Sequence, residues 1–249
     1  MSKSPSTLLL VEGQDDEHVV KNLCGRMEIG LIDEIRCKHR LRSSAQSKGA
    51  SNDREAPCGK EALLKALPNY LETRGEELTA LGVLLDADDD RDASWRSITH
   101  TLHQLGYADL PAQPDPAGTV IQPPDRTIQP PQPNAGASLP GTANPLPLPR
   151  IGIWIMPDNQ LDGTLEDFLI FLVPEGDPLL PYAEQTLDTL PYTRFTSPRR
   201  PKALMHTWLA WQSEPGKPYG QAISAKYLNT DLPMAKTFAN WLRRTFFDD

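Results

Sequence analysis

Long apolar runs are missing from this chain of 249 residues, and no stretch approaches the roughly 18 apolar residues that a membrane-spanning helix needs. No membrane partner is expected on that ground. Cysteine is scarce: Cys24, Cys37 and Cys58 are odd in number and widely spaced. Neither a disulfide framework nor a paired CxxC metal site fits them, and reduced thiols in a bacterial or archaeal cytoplasm are the simple reading. Positive charge is in deficit, with 25 Lys and Arg against 33 Asp and Glu, a formal net charge of −8. A protein that holds nucleic acid by charge alone is usually basic, so broad, non-specific binding is disfavoured. A P-loop is missing too, because Gly59-Lys60 lacks the glycine five positions earlier, where Arg54 stands.

What is present is a strand and helix alternation. Residues 6–11 are an apolar run that turns acidic at Glu12 without a small-residue cleavage site, so it reads as a first strand and not as a signal peptide. Asp15, Asp16 and Glu17 then open a helix with Val19, Val20, Leu23 and Met27 at helical spacing. Residues 34–39 read as a second strand, 43–57 as a polar loop, and 59–74 as a helix that Pro68 should disturb. Residues 80–85 form a buried strand ending in Asp86, and 94–105 a helix that Gly106 stops. This βαβαβα order predicts an α/β fold with a mostly parallel, doubly wound sheet.

Composition breaks at residue 111. Of the 39 residues from Pro111 to Pro149, twelve are proline. Such a segment cannot hold a central strand or helix, and it reads as an insert with at most a short edge strand at 118–122. A buried strand resumes at 150–156, followed by a short helix at 165–172. Helices at 179–189, 202–211, 222–227 and 232–247 complete the chain. The expected organisation is an α/β core over residues 1–175, with 111–149 inserted, and a helical C-terminal extension or cap over 176–249.

Three of these strands end in acids: Glu12, the pair Asp86 and Asp88, and Asp158. Ligands of open parallel sheets bind outside the carboxyl ends of the strands, so these acids should meet on one rim. Gly13 permits a tight turn through which a backbone or phosphate could approach Glu12. If the chain stays extended past the strand end, Asp86 and Asp88 point the same way. Clustered carboxylates repel one another and call for a cation, and hard oxygen donors suit Mg²⁺ or Mn²⁺. Glu12 is then placed as a general acid or base. Competing local roles exist. Asp90 or Asp92 could cap the next helix, and Glu166-Asp167 could either add a second metal site or complement a helix dipole. Lys202, Lys217 and Lys226 could contact phosphate or simply face solvent. Two basic clusters, Arg36 to Arg42 and Arg194 to Lys202, offer phosphate-facing patches. His100 and His103 lack a third ligand, and Trp208, Trp211 and Trp241 read as core of the C-terminal helices. An aspartyl-nucleophile phosphatase could use Asp86 and Asp88, although that motif usually sits on the first strand.

Val11-Glu12-Gly13 after one apolar strand and Asp86-x-Asp88 after another resemble the Toprim signature of topoisomerases, primases and overcoming-lysogenization-defect nucleases. The longer pattern is similar to small, stand-alone Toprim-like proteins of unknown function in bacteria and archaea. It comprises residues 10–17, Leu85-Asp-Ala-Asp88 with Trp95, residues 152–159 and 163–168, and residues 215–228. The resemblance spans nearly the whole chain except the insert. It implies a Rossmann-like Toprim core with Glu12 as acid/base, Glu12, Asp86 and Asp88 holding Mg²⁺ or Mn²⁺, and Asp90 matching a further acid of some members. Gly13, Asp16, Asp158 and Lys202 are the expected substrate-facing residues. No tyrosine stands out as the separate nucleophile of topoisomerase-type enzymes. Two functions follow as expectations: a Mg²⁺-dependent nuclease, in DNA maintenance or phage defence, or a metal- or nucleotide-binding regulatory module that works with a protein partner.

Overall fold

The apolar runs of the first, third and last predicted strands are continuous, so their two faces must both be covered. In the computed structural model, which describes residues 6–37, 39–41, 54–56, 58–75, 77–123 and 148–248, they are. β1 (Ser6–Leu10), β2 (Glu34–Arg36), β5 (Leu78–Asp86), β6 (Thr119–Ile121) and β7 (Arg150–Met156) form one sheet in the order β2-β1-β5-β7-β6. All neighbours run parallel except β6, which lies antiparallel to β7 at the edge. The fold is therefore α/β with a mostly parallel sheet, and the short edge strand expected near 118–122 exists.

Alternate strand residues serve opposite faces, as the strand period requires. Leu8, Leu10, Leu81, Val83, Leu85, Ile151, Ile153 and Ile155 pack under α2 (Lys60–Arg74) and α3 (Arg91–Gln104). Leu9, Ala80, Leu84, Trp154 and Met156 face a larger core with α1 (Gln14–Arg26), α4 (Leu165–Ile170) and the C-terminal helices. Those helices are α5 (Leu179–Asp188), α6 (Arg200–Ala210), α7 (Tyr219–Ser224) and α8 (Pro233–Phe246). They share one apolar core with the sheet.

Two expectations change. The second strand stops at Arg36, and β3 (His39–Leu41) instead pairs antiparallel with β4 (Arg54–Ala56), which lies inside the stretch read as a loop. The remainder of that loop, 43–53 and 57, lies outside the described residues, as does 124–147 of the proline-rich insert. α2 runs through Pro68 without ending. Burial of Leu63, Ala66, Leu67, Tyr70 and Leu71 holds the helix against the cost of a missing backbone donor.

α8 can lie against the sheet because two glycines face each other there. Gly82 and Gly152 are direct partners in the β5–β7 register. A Cβ on Gly82 would stand 2.6 Å from Phe246 Cζ, and one on Gly152 would stand 2.2 Å from Thr245 Oγ1. Beside this seat, the Trp154 ring meets Phe238 edge-on with centroids 5.0 Å apart and Trp241 at 5.6 Å. Gly152→Ala should destabilise the chain by about 3 kcal/mol through overpacking. Thr245→Ala in the same chain should restore part of that loss, since it removes the two nearest atoms. Thermal unfolding of the single and double variants checks both, and an unchanged melting temperature for Gly152→Ala would contradict this packing.

Candidate functional site

β1 and β5 are neighbours in the sheet, so the residues following them emerge side by side on the carboxyl rim. Glu12 follows β1, and its Oε1 accepts a 2.9 Å hydrogen bond from the backbone N–H of Asp86. Asp86 closes β5, and its Oδ1 accepts at 3.0 Å from the N–H of Leu165 in α4. Asp16, in the first turn of α1, reaches back so that its Oδ2 accepts at 2.8 Å from the Gly13 N–H. Glu166 joins from α4, with Oε2 accepting from Thr164 Oγ1 at 2.9 Å. Glu12, Asp16, Asp86 and Glu166 line one cleft of about 810 Å³ with Asp15, Asp88, Arg199 and Lys202.

Burial of so many acids together is electrostatically costly. Burial pushes Glu12 up to about 7, against the opposing pull of the Asp86 N–H and the Lys60 ammonium. Asp16 rises to about 7 as well, from burial first and then from the Glu12 charge. Asp86 is held well above the usual carboxylate range by burial, with the charges of Asp16, Glu12 and Glu166 adding to it.

A basic and aromatic wall faces the acids from the C-terminal helices. Lys202 Nζ lies 3.2 Å from Glu166 Oε1 and 3.6 Å from Asp15 Oδ2. Burial disfavours its charge, but those two carboxylates outweigh burial and raise its pKa. The buried Tyr219 hydroxyl donates to Glu166 Oε1 at 3.3 Å, and its ring stacks on His206 with centroids 5.3 Å apart. Burial, and next the Glu166 charge, raise the Tyr219 phenol. Tyr219 reaches the site because α7 lies close on α1: a Cβ on Gly220 would stand 2.8 Å from the His18 carbonyl oxygen.

Several sequence expectations are placed differently. Asp88 has a positive φ of 56°, so the chain has left the extended conformation that would aim it with Asp86. Its side chain is 60% exposed and is ion-paired with Lys60. Asp90 caps α3, its Oδ1 accepting from the Ala93 N–H at 2.7 Å. Asp158 sits in its own turn, where its Oδ1 accepts from the N–H groups of Gln160 and Leu161 at 2.9 and 2.8 Å. Neither Asp90 nor Asp158 lines the acidic cleft. Gly13 has an extended backbone, φ −137°, that any residue adopts. What favours glycine there is space, since a Cβ would approach Asp16 Oδ2 to 3.1 Å. Arg36 is paired with Glu34 at 2.6 Å, and the side chains of residues 38–42 lie outside the described residues. In the second basic cluster, Arg200 pairs with Asp188 at 2.6 Å, while Arg199 and Lys202 line the cleft. Lys60 and Tyr219 are the participants that sequence reasoning missed. Nothing local marks them, because each is delivered by packing of its helix.

A family described as "Protein of unknown function (DUF3226)" matches residues 6–247. The chain belongs to this family. No curated protein and no solved structure matches it. Among the described residues of this DUF3226 chain, no helix is long and apolar enough to cross a membrane. Nor is any group of three His, Cys, Asp or Glu side chains among them arranged to hold a metal ion. The donor chemistry does suit a hard divalent cation, because Glu12, Asp16, Asp86 and Glu166 offer only carboxylate oxygens whose mutual repulsion such an ion would relieve.

Glu12 and Asp16 bind protons more tightly in the folded chain than at their ordinary values of 4.5 and 3.8. Between those values and about 7 the folded state carries the extra protons, so stability is greatest on the acid side and falls as pH rises through the window. Glu12→Gln should remove its share of that fall, on the order of 3 kcal/mol. Chemical denaturation of both proteins at about pH 4.5 and about pH 7.5 measures this. Equal losses in the two would show that Glu12 is not held protonated by its surroundings.

Proposed function

We propose that this protein is a Toprim-like, Mg²⁺- or Mn²⁺-dependent enzyme that cleaves phosphodiester bonds in nucleic acid. The observation that carries this reading is the direct junction of Glu12 and Asp86, acids from adjacent parallel strands, within a cleft whose opposite wall bears Lys202 and Arg199. Glu12, Asp86 and Asp88 are the residues that would hold the metal, with Asp16 and Glu166 close enough in charge to support it. A bound divalent ion supplies Lewis-acid stabilisation to the phosphodiester oxygens.

The chain's own groups account for the remaining roles. Glu12, at the end of β1 over the Asp86 backbone, is placed to exchange a proton with an attacking or leaving oxygen. Lys202 and Arg199 carry the positive charge that meets a phosphate at the cleft wall. Glu166 and Asp15 hold the Lys202 ammonium in place, and Tyr219 donates to the same Glu166 oxygen, which orients that carboxylate.

Single- and double-stranded DNA and RNA, incubated with purified protein and Mg²⁺ or Mn²⁺, test the proposal. Wild type should cut at least one of them. Glu12→Gln and Asp86→Asn should each lower the rate at least about 100-fold, the contribution of a positioned acid/base group or a lost metal ligand. Metal binding by wild type without cleavage of any substrate would sink the nuclease reading and favour the regulatory module that works with a partner.

A further inference from the structure

The acidic cleft borders a cation supplied by the chain itself. Lys60 is the first residue of α2, and its Nζ is ion-paired with Asp88 Oδ2 and donates to Ser94 Oγ at 3.0 Å. The Lys60 side chain is only 23% exposed. Its charge reaches Glu12 as well, where it opposes the effect of burial. A single ammonium group thus serves two of the three acids that the proposed metal would need.

We infer that Lys60 is an exchangeable counter-ion of Asp88, which gives way when a divalent cation takes its place beside that carboxylate. This rests on the metal reading of the site. Three features support the exchange. The Asp88 backbone is pinned in both directions to Gly163, N–H to carbonyl at 2.9 Å and carbonyl to N–H at 2.8 Å, so the carboxylate can turn without moving the chain. The Asp88 side chain is the exposed one among these acids, free of the packing that immobilises Asp86. Lys60 keeps a second acceptor in Ser94, whose buried hydroxyl is itself anchored within 3.2 Å of the Ala87 carbonyl oxygen, so release from Asp88 does not strand the ammonium. An ammonium and a divalent ion at close range repel one another, so the two compete for the Asp88 carboxylate.

Lys60 therefore sets the threshold of metal concentration at which the site fills. Titration of the full-length protein with Mn²⁺, followed by electron paramagnetic resonance of the free ion, reads this directly. Lys60→Met should bind Mn²⁺ about two- to fivefold more tightly than wild type, the fold-change that a partly exposed ion pair is worth. Lys60→Arg, which keeps the charge, should stay near wild type. Asp86→Asn serves as the reference for a lost ligand, and circular dichroism confirms that each variant is folded. Unchanged or weaker Mn²⁺ binding by Lys60→Met, with binding still lost in Asp86→Asn, would overturn the counter-ion role and leave the metal site standing. If neither wild type nor Lys60→Met takes up Mn²⁺, or if Asp86→Asn binds as wild type does, the metal reading falls and the counter-ion role with it.

Discussion

The hydrogen bond from the Asp86 N–H to Glu12 joins the ends of two parallel strands, and the chemistry of the rim depends on that junction. Parallel pairing of β1 with β5 brings the two acids to the same edge, whatever the 73 residues between them do. Once Glu12 is anchored over the Asp86 backbone, neither carboxylate can move out to water to escape the other. Asp16 and Glu166 close in from α1 and α4, and the pocket accumulates negative charge in a partly dry setting. Such a cluster is tolerated only with protonation, hydrogen bonding or a cation, and the cleft uses the first two and borders the third through Lys60 and Lys202.

The rest of the architecture keeps that rim in place. The paired glycines of β5 and β7 admit α8 onto the sheet, and α8 with Trp154 forms the aromatic centre of the larger core. Into this core pack α4, α6 and α7, which bear Glu166, Lys202 and Tyr219. The C-terminal helices are thus a structural wall of the site as well as a cover for the sheet. A side chain added at Gly152 would press on Thr245 of α8, in the core on which the basic partners of the acids stand.

Elements with strong periodicity were legible in advance. The buried strands at β1, β5 and β7, the helices α1 and α3 to α8 and the edge strand β6 follow from runs of apolar residues, helical spacing and caps, all of which act over a few neighbours. The hairpin of β3 and β4 was not legible, since short polar strands carry no periodic signal. Pro68 misled for a related reason: its local penalty is real, and burial of Leu67 and Leu71 outweighs it. At the site, Glu12 and Asp86 could be placed from their positions at strand ends. Asp158 could not, because the turn after β7 consumes its carboxylate locally and Glu166 from α4 stands in the cleft instead.

The sequence by itself determined the alternation of strands and helices, the parallel sheet and the delivery of Glu12 and Asp86 to one rim. Alternation of elements and hydrophobic burial follow from short-range pattern, and a parallel sheet from the βαβ succession. Only the tertiary structure decided which charges meet there. Asp88 turns onto Lys60 through a positive φ, Asp90 is taken up by the cap of α3, and Glu166 gains Lys202 and Tyr219 from helices more than 30 residues away in the chain. Coulombic and desolvation energies depend on distance and burial in space, which no local pattern of residue types encodes.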